Sequence, residues 1–446
     1  MSRVKINDEI TAEITDIDDK GRGFFRAGNA TGLASGLVPG EIAEGIITAR
    51  KEGKVRLGVK KLIKADPARG KAPCPFFGRC GGCLWQDLAY DRQCELKLRL
   101  VNRALAGVGV AVTASRLLRA ASRYRHRNRM DFVFGADGEL GLKEHERWDK
   151  VVDLDSCLLL DETSSEIMRR VRDIAKSSGA PFWNNREQHG YWRYLVIREG
   201  KDTGERLALI TTSAESPELP RRAELSEALK PLCTSFLHGI NPEVTDLSIP
   251  KTIETIFGEP YLHEKVNGLT YRIPPASFFQ TNTQMAGELQ KTAVEFAAPC
   301  ALDRVLDLYC GSGFLSLALA AKAKNVLGLE IDPAAVEIAR TNAVLNRITN
   351  AEFRAGAAEK LLPAELASSG PDVIVVDPPR AGLHPAAARA LADSGARRIV
   401  YVSCSPVTLG RDLKAILAAY RVEQSACIDL FPHTPHIETV VSLGLR

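Results

Sequence analysis

Val305-Leu306-Asp307-Leu308-Tyr309-Cys310-Gly311-Ser312-Gly313 reads as an apolar strand running into a glycine turn. Glycines there let the backbone approach a ligand closely at the strand's carboxyl end. Downstream, Asn325-Val326-Leu327-Gly328-Leu329-Glu330 predicts a second strand ending in an acid, 19 residues after Gly311. An acid at that point can accept ribose hydroxyls. Asp372-Val373-Ile374-Val375-Val376 predicts a third strand, running into the rigid loop Asp377-Pro378-Pro379-Arg380. Arg398-Ile399-Val400-Tyr401-Val402 leads into Ser403-Cys404-Ser405-Pro406. From about residue 271 strands and helices alternate as in a parallel α/β sheet. Polar strand ends in one doubly wound sheet describe a cofactor-dependent enzyme, and Cys404 at the last of them suggests covalent catalysis.

The 446 residues predict two or three domains, and 45% apolar with 26% charged residues fits a globular chain. The N-terminus lacks the apolar core of a signal peptide, and no apolar run approaches the roughly 20 residues of a membrane span. The expectation is a cytoplasmic protein acting as a monomer. A net charge of +4 neither demands nor excludes nucleic acid.

Residues 1–65 predict a five-stranded OB-type barrel, with short alternating segments between turns such as Asp18-Asp19-Lys20-Gly21 and Lys51-Glu52-Gly53-Lys54. Residues 66–270 form a central α+β region, beginning with a Pro/Gly linker and including a predicted amphipathic helix from Leu88 to Leu105. Residues 271–446 form the α/β domain.

Cys74, Cys80 and Cys83 place three soft ligands within ten residues, among glycines that let the loop fold tightly. Thiolates of this density select zinc or an iron–sulfur centre, and spacing leaves both open. Cys94 is the nearest fourth thiol but falls in the predicted helix, and Cys157 is the other candidate. Arg123, Arg125, Arg127 and Arg129 alternate, so a strand there would present one cationic face suited to RNA phosphates.

Glycine turn, acid and Asp-Pro-Pro, in that order, resemble S-adenosylmethionine-dependent methyltransferases. Arg380 stands where an aromatic residue would point to methylation of an amine, so attack on carbon is expected. Carbon 5 of a pyrimidine is a weak nucleophile until a thiolate adds to carbon 6. A base must then remove the carbon-5 proton. Enzymes acting on cytosine usually carry a second cysteine near Asp-Pro-Pro. None occurs here, which favours uracil. Glu438, in Phe431-Pro432-His433-Thr434-Pro435-His436-Ile437-Glu438, is the preferred base over His433 and His436.

Together these motifs resemble the bacterial RNA 5-methyluridine methyltransferases, specifically the 23S ribosomal RNA branch, over nearly the whole chain. The resemblance implies a C-terminal Rossmann-like class I methyltransferase domain, an N-terminal TRAM barrel that binds RNA, and a central domain with an iron–sulfur loop. It implies a 4Fe-4S cluster on Cys74, Cys80, Cys83 and Cys157. It implies S-adenosyl-L-methionine contacts from Gln280, Tyr309, Gly311, Glu330 and Asp377, with Cys404 as nucleophile and Glu438 as base. Arg380 would line the base pocket with Asp377, and Phe314 stands where relatives often have Asn. The tRNA branch typically lacks both barrel and cysteine loop, so the expected partner is 23S rRNA. The rivals are a tRNA uracil-5 methyltransferase and a non-catalytic RNA-binding or assembly factor.

Overall fold

The computed structural model describes residues 4–110, 114, 116–216 and 218–446. The first strands, Glu9–Glu13 and Asp16–Ile17, are one run bent at Ile14 and Thr15. Its first half pairs with Ile42–Lys51 and its second with Arg22–Ala27, so the six-membered sheet closes on itself. The bend explains why six pieces appear where the sequence predicts five strands. Phe25 fills the interior beside Ile47, Val55 and Leu57. Gly32 makes room for it, because a Cβ there would lie 1.9 Å from the Phe25 ring.

A seven-stranded central sheet runs in the order Val151–Asp153, Leu140–Lys143, Arg129–Phe134, Trp192–Glu199, Arg206–Thr212, Ser235–Ile240, Thr252–Phe257. Helices Glu162–Ser177 and Arg222–Leu229 bury Ile167, Val171, Leu225 and Leu229 against one face. Leu207, Leu209 and Leu237 on the other face share a core with Val336 and Ala339 of helix Pro333–Leu345. That second core ties the central sheet to the C-terminal layers.

The C-terminal sheet has eight strands in the order Ala351–Ala355, Asn325–Glu330, Arg304–Leu308, Val373–Val376, Arg398–Ser403, Glu438–Leu445, Tyr420–Ile428, Arg116–Leu118. The first five are parallel and Glu438–Leu445 is antiparallel to its neighbours. Both faces are covered, as a parallel sheet requires. Leu306, Leu308, Ile374, Ile399 and Tyr401 point into one core, and Val305, Val373, Val375, Val400 and Val402 into the other. Residues from the middle of the chain join these layers. Helix Tyr90–Ala106 contributes Val101 and Leu105 to the core of Leu409 and Leu413, and Arg116–Leu118 adds a parallel edge strand. No helix among the described residues is long and apolar enough to cross a membrane.

Candidate active site

Strand order reverses between Arg304–Leu308 and Val373–Val376, which opens a crevice at their carboxyl ends. The predicted glycine turn lies there. Tyr309 adopts a left-handed conformation (φ +63°), and its N–H and that of Cys310 both donate to the Leu329 carbonyl, at 2.8 and 3.1 Å. Gly311 (φ +53°) has no heavy atom within 4 Å of where a Cβ would sit, so its backbone faces open space. Its N–H donates to Glu330 Oε2 at 3.1 Å, which fixes the acid against the turn. Asp377 follows the next strand and its N–H reaches the Leu308 carbonyl at 3.3 Å. Desolvation pushes the Asp377 carboxyl up to about 7. Asp307 is fully buried beneath the turn, accepts a 2.5 Å bond from Ser316 Oγ, and leaves Oδ1 without a partner. Burial, reinforced by Asp377 and Glu330, pushes Asp307 up to about 7 as well. Three carboxyls around an open backbone turn suit a ligand carrying positive charge.

Gln280 enters from the loop before helix Thr283–Ala297 and is buried. Its carbonyl accepts from Asn128 Nδ2 at 2.9 Å. Two residues on, Asn282 caps that helix and donates to the Leu430 carbonyl at 3.0 Å.

Cys404 leaves the strand Arg398–Ser403, and Glu438 opens the antiparallel strand beside it. The ladder ends with Ser403 paired to Thr439, and Cys404 and Glu438 are the neighbours of that last pair, near enough for the carboxylate to raise the thiol. Ser405 then caps helix Pro406–Ile416, and Pro406 occupies its first turn. Ser405 N–H donates to Ser403 Oγ at 3.1 Å, clasping the turn that presents the thiol. Thr408 Oγ1 donates to the Arg380 carbonyl at 3.3 Å, which joins this helix to the Asp-Pro-Pro-Arg loop. Burial, Glu438 and Asp377 push the Cys404 thiol up to about 11, against a lowering pull from Arg380. Burial, with Asp377, pushes Glu438 up to about 8. A carboxyl poised near neutrality opposite a thiol can exchange protons at physiological pH.

The histidines divide from Glu438 by environment. His433 is buried, and its carbonyl accepts from the N–H groups of Leu84 and Trp85, both at 2.9 Å. Its Nε2 faces the Arg123 carbonyl at 3.0 Å. Burial lowers both His433 and His436 to about 4. His433 is engaged on every side, which is a structural role.

Residues 251–446 match the family model described as tRNA (uracil-5-)-methyltransferase. An uncharacterized RNA methyltransferase of Halalkalibacterium halodurans is 34% identical, over 99% of this chain and 98% of its own. The tRNA (uracil(54)-C(5))-methyltransferase of Pyrococcus horikoshii is 35% identical, over 96% of this chain and 98% of its own. The chain belongs to the S-adenosylmethionine-dependent RNA uracil-5 methyltransferase family. A solved relative is the Pyrococcus abyssi tRNA (uracil-54, C5)-methyltransferase in complex with S-adenosyl-L-homocysteine. It aligns with TM-score 0.79 and 30% identity, covering 97% of this chain and 100% of that one.

Away from the crevice, the methyltransferase gathers Cys74, Cys80, Cys83 and Cys157 around one pocket, together with Phe76, Leu142 and Leu159. Cys94 is instead buried in helix Tyr90–Ala106, beside Lys97 and Asp429. Burial and neighbouring thiols push Cys83 up to about 12. Burial likewise raises Cys80, to about 11. Among the described residues no group of three or more His, Cys, Asp or Glu side chains is arranged to hold a metal ion.

The expected cationic strand is corrected by the structure. Only Arg129 lies in a strand, and Arg125 adopts φ +54°, which breaks the alternation. Arg123 and Arg125 are exposed. Arg127 turns toward Cys157 and Cys83. Arg129 grips Asp131 with two bonds of 2.7 and 2.8 Å.

One buried acid and one buried ion pair escaped the sequence reading. Asp307 looked like an ordinary strand residue, although a lone acid in an apolar run before a glycine turn was a usable signal. The fully buried pair Lys97–Asp429, at 2.6 Å, joins residues 332 apart, and no sequence pattern announces it.

Proposed function

We propose that this protein methylates carbon 5 of a specific uridine in 23S ribosomal RNA, with Cys404 as nucleophile and Glu438 as base. The observation that supports the chemistry is the antiparallel pairing that ends at Ser403 and Thr439, with Cys404 and Glu438 next to that pair and in electrostatic contact. The Cys404 thiol first loses its proton to solvent; the thiolate then bonds to carbon 6, and the electron pair of the double bond becomes available at carbon 5. Bound S-adenosyl-L-methionine supplies an electrophilic methyl group. Glu438, in its ionised form, then takes the carbon-5 proton, the double bond re-forms, and the thiolate leaves. Gln280, Tyr309, Gly311, Glu330 and Asp377 would hold the cofactor, where the carboxyls complement its positive charge. The target base must be unpaired or flipped to expose carbon 6.

We assign residues 1–65 as a TRAM-type RNA-binding domain, 66–270 as the central domain and 271–446 as the catalytic domain. Cys74, Cys80, Cys83 and Cys157 would ligate a 4Fe-4S cluster of structural role, since methyl transfer needs no redox step. The protein would act as a cytoplasmic monomer.

A second reading, methylation of tRNA, is favoured by one observation. A relative named for position 54 of tRNA aligns over 96% of this chain, so a tRNA enzyme can match the N-terminal regions too. The test is methyl transfer from labelled S-adenosyl-L-methionine to unmodified 23S rRNA and, separately, to unmodified tRNA, with the nucleoside identified by mass spectrometry. 5-Methyluridine in rRNA alone supports the first reading. In tRNA alone it supports the second, and transfer to neither overturns the catalytic assignment.

A further inference from the structure

The segment 429–437 leads directly into Glu438, and side chains from outside its own sheet hold it. Lys97 Nζ donates to Asp429 Oδ1 at 2.6 Å and to the Phe431 carbonyl at 2.9 Å. Tyr90 donates to the other Asp429 oxygen at 2.8 Å. Gln93 sits one helical turn before Lys97 and is buried. Its Oε1 accepts from His433 N–H at 2.8 Å. Its Nε2 donates to the carbonyls of Trp85 and Leu88, both at 2.9 Å. Both hydrogens and the acceptor are thus committed, and the amide orientation is fixed by its partners. The His433 carbonyl in turn accepts from Leu84 and Trp85, the two residues that follow Cys83. His433 holds a left-handed backbone (φ +68°), a conformation that persists only where surroundings enforce it. The cysteine loop and the segment carrying Glu438 are therefore stitched together by buried bonds centred on Gln93 and His433.

We infer that Gln93 is a positioning residue for Glu438, and that the cysteine loop acts through it and His433 to hold the base in line with carbon 5. This inference rests on the assignment of Glu438 as base. It predicts a selective defect. Attack by Cys404 on carbon 6 depends on the turn Ser403–Ser405, which has its own bonds. Elimination depends on Glu438 alone: the carbon-5 to hydrogen bond breaks, its electrons form the carbon-5 to carbon-6 double bond, and the carbon–sulfur pair leaves with Cys404.

The variant is Gln93→Met, which keeps volume and removes the amide. With RNA containing ordinary uridine, quenched in detergent, the covalent protein–RNA adduct should accumulate, while the rate of its formation stays within about twofold. The rate of its resolution should fall roughly ten- to a hundredfold, as expected for a displaced catalytic group. Amide hydrogen exchange across 429–437 should rise. Cys83→Ala, tested in parallel, should show the same persistent adduct and faster exchange over the same residues. Formation and resolution falling together, or exchange over 429–437 unchanged in both variants, would overturn the inference. Wild-type protein that forms no adduct with 5-fluorouridine RNA would instead break the underlying assignment of nucleophile and base.

Discussion

Cys404 and Cys83 are both thiols that burial makes reluctant to ionise, pushed up to about 11 and about 12, yet their surroundings differ in kind. Around Cys404 the neighbours are carboxyls, Glu438 and Asp377, with Arg380 opposing them. Around Cys83 they are other thiols, with a guanidinium, Arg127, nearby. Carboxyls can pass a proton to and from a substrate. Clustered thiols suit holding a shared cation. On the proposed assignments, the difference separates a nucleophile that must let go from ligands that must hold, and burial alone would not have told them apart.

The sharpest way to break this comparison is to remove each thiol. Cys404→Ala should lower turnover by at least about a thousandfold, as losing a nucleophile does, and abolish adducts with 5-fluorouracil RNA while leaving bound iron unchanged. Residual normal turnover would falsify its role. Cys83→Ala should still form the adduct, resolve it slowly, and lose bound metal. Iron content and the brown absorbance near about 400 nm, where thiolate-ligated iron absorbs, should fall together. A colourless wild-type protein holding one zinc would defeat the cluster assignment.

Glu438→Gln should lower turnover by roughly 10²- to 10⁴-fold, typical for a lost general base, yet allow the adduct to form and persist. The same carboxyl has a signature in stability. Folding raises it from 4.5 to about 8, so the folded chain keeps a proton that the unfolded chain releases. Its contribution is full below about pH 4.5 and is lost as pH climbs through about 8. Asp307 and Asp377, each raised to about 7, act in the same direction. Thermal melts across that range should therefore show a steeper loss for wild type than for Glu438→Gln, by roughly 3–5 kcal/mol at the alkaline end. Parallel profiles would mean that Glu438 is not buried in solution. The smallest effect expected is that of Arg125→Ala, an exposed arginine whose loss should raise the KM for RNA by a few-fold and soften its salt dependence by about one charge.

Much of the C-terminal sheet was legible because strand ends carry their own punctuation: Gly311 and Gly313, Glu330, Asp377-Pro378-Pro379 and Ser405-Pro406 each follow an apolar run. The arginine series failed for the opposite reason. Alternation at 123–129 looks like one strand face, but a single left-handed residue, Arg125, redirects the chain and sends Arg127 inward. Periodicity is evidence of a shared face only while the backbone stays extended.

The sequence by itself determined the chemistry available to this protein: a glycine turn with acids for a charged cofactor, one thiol at a strand end, a cysteine-rich loop, and an acid opening the last strand. Only the tertiary structure decided which of these meet. Cys404 comes near Glu438 because the antiparallel pairing of two strands ends beside them, and Cys157 joins Cys74, Cys80 and Cys83 because the central region folds it back over their loop. Gln93 and Lys97 reach the segment before Glu438 across more than 300 residues of chain. Local residue types set what a site can do. Which groups share it depends on long-range packing, because buried polar partners must be found wherever the fold brings them.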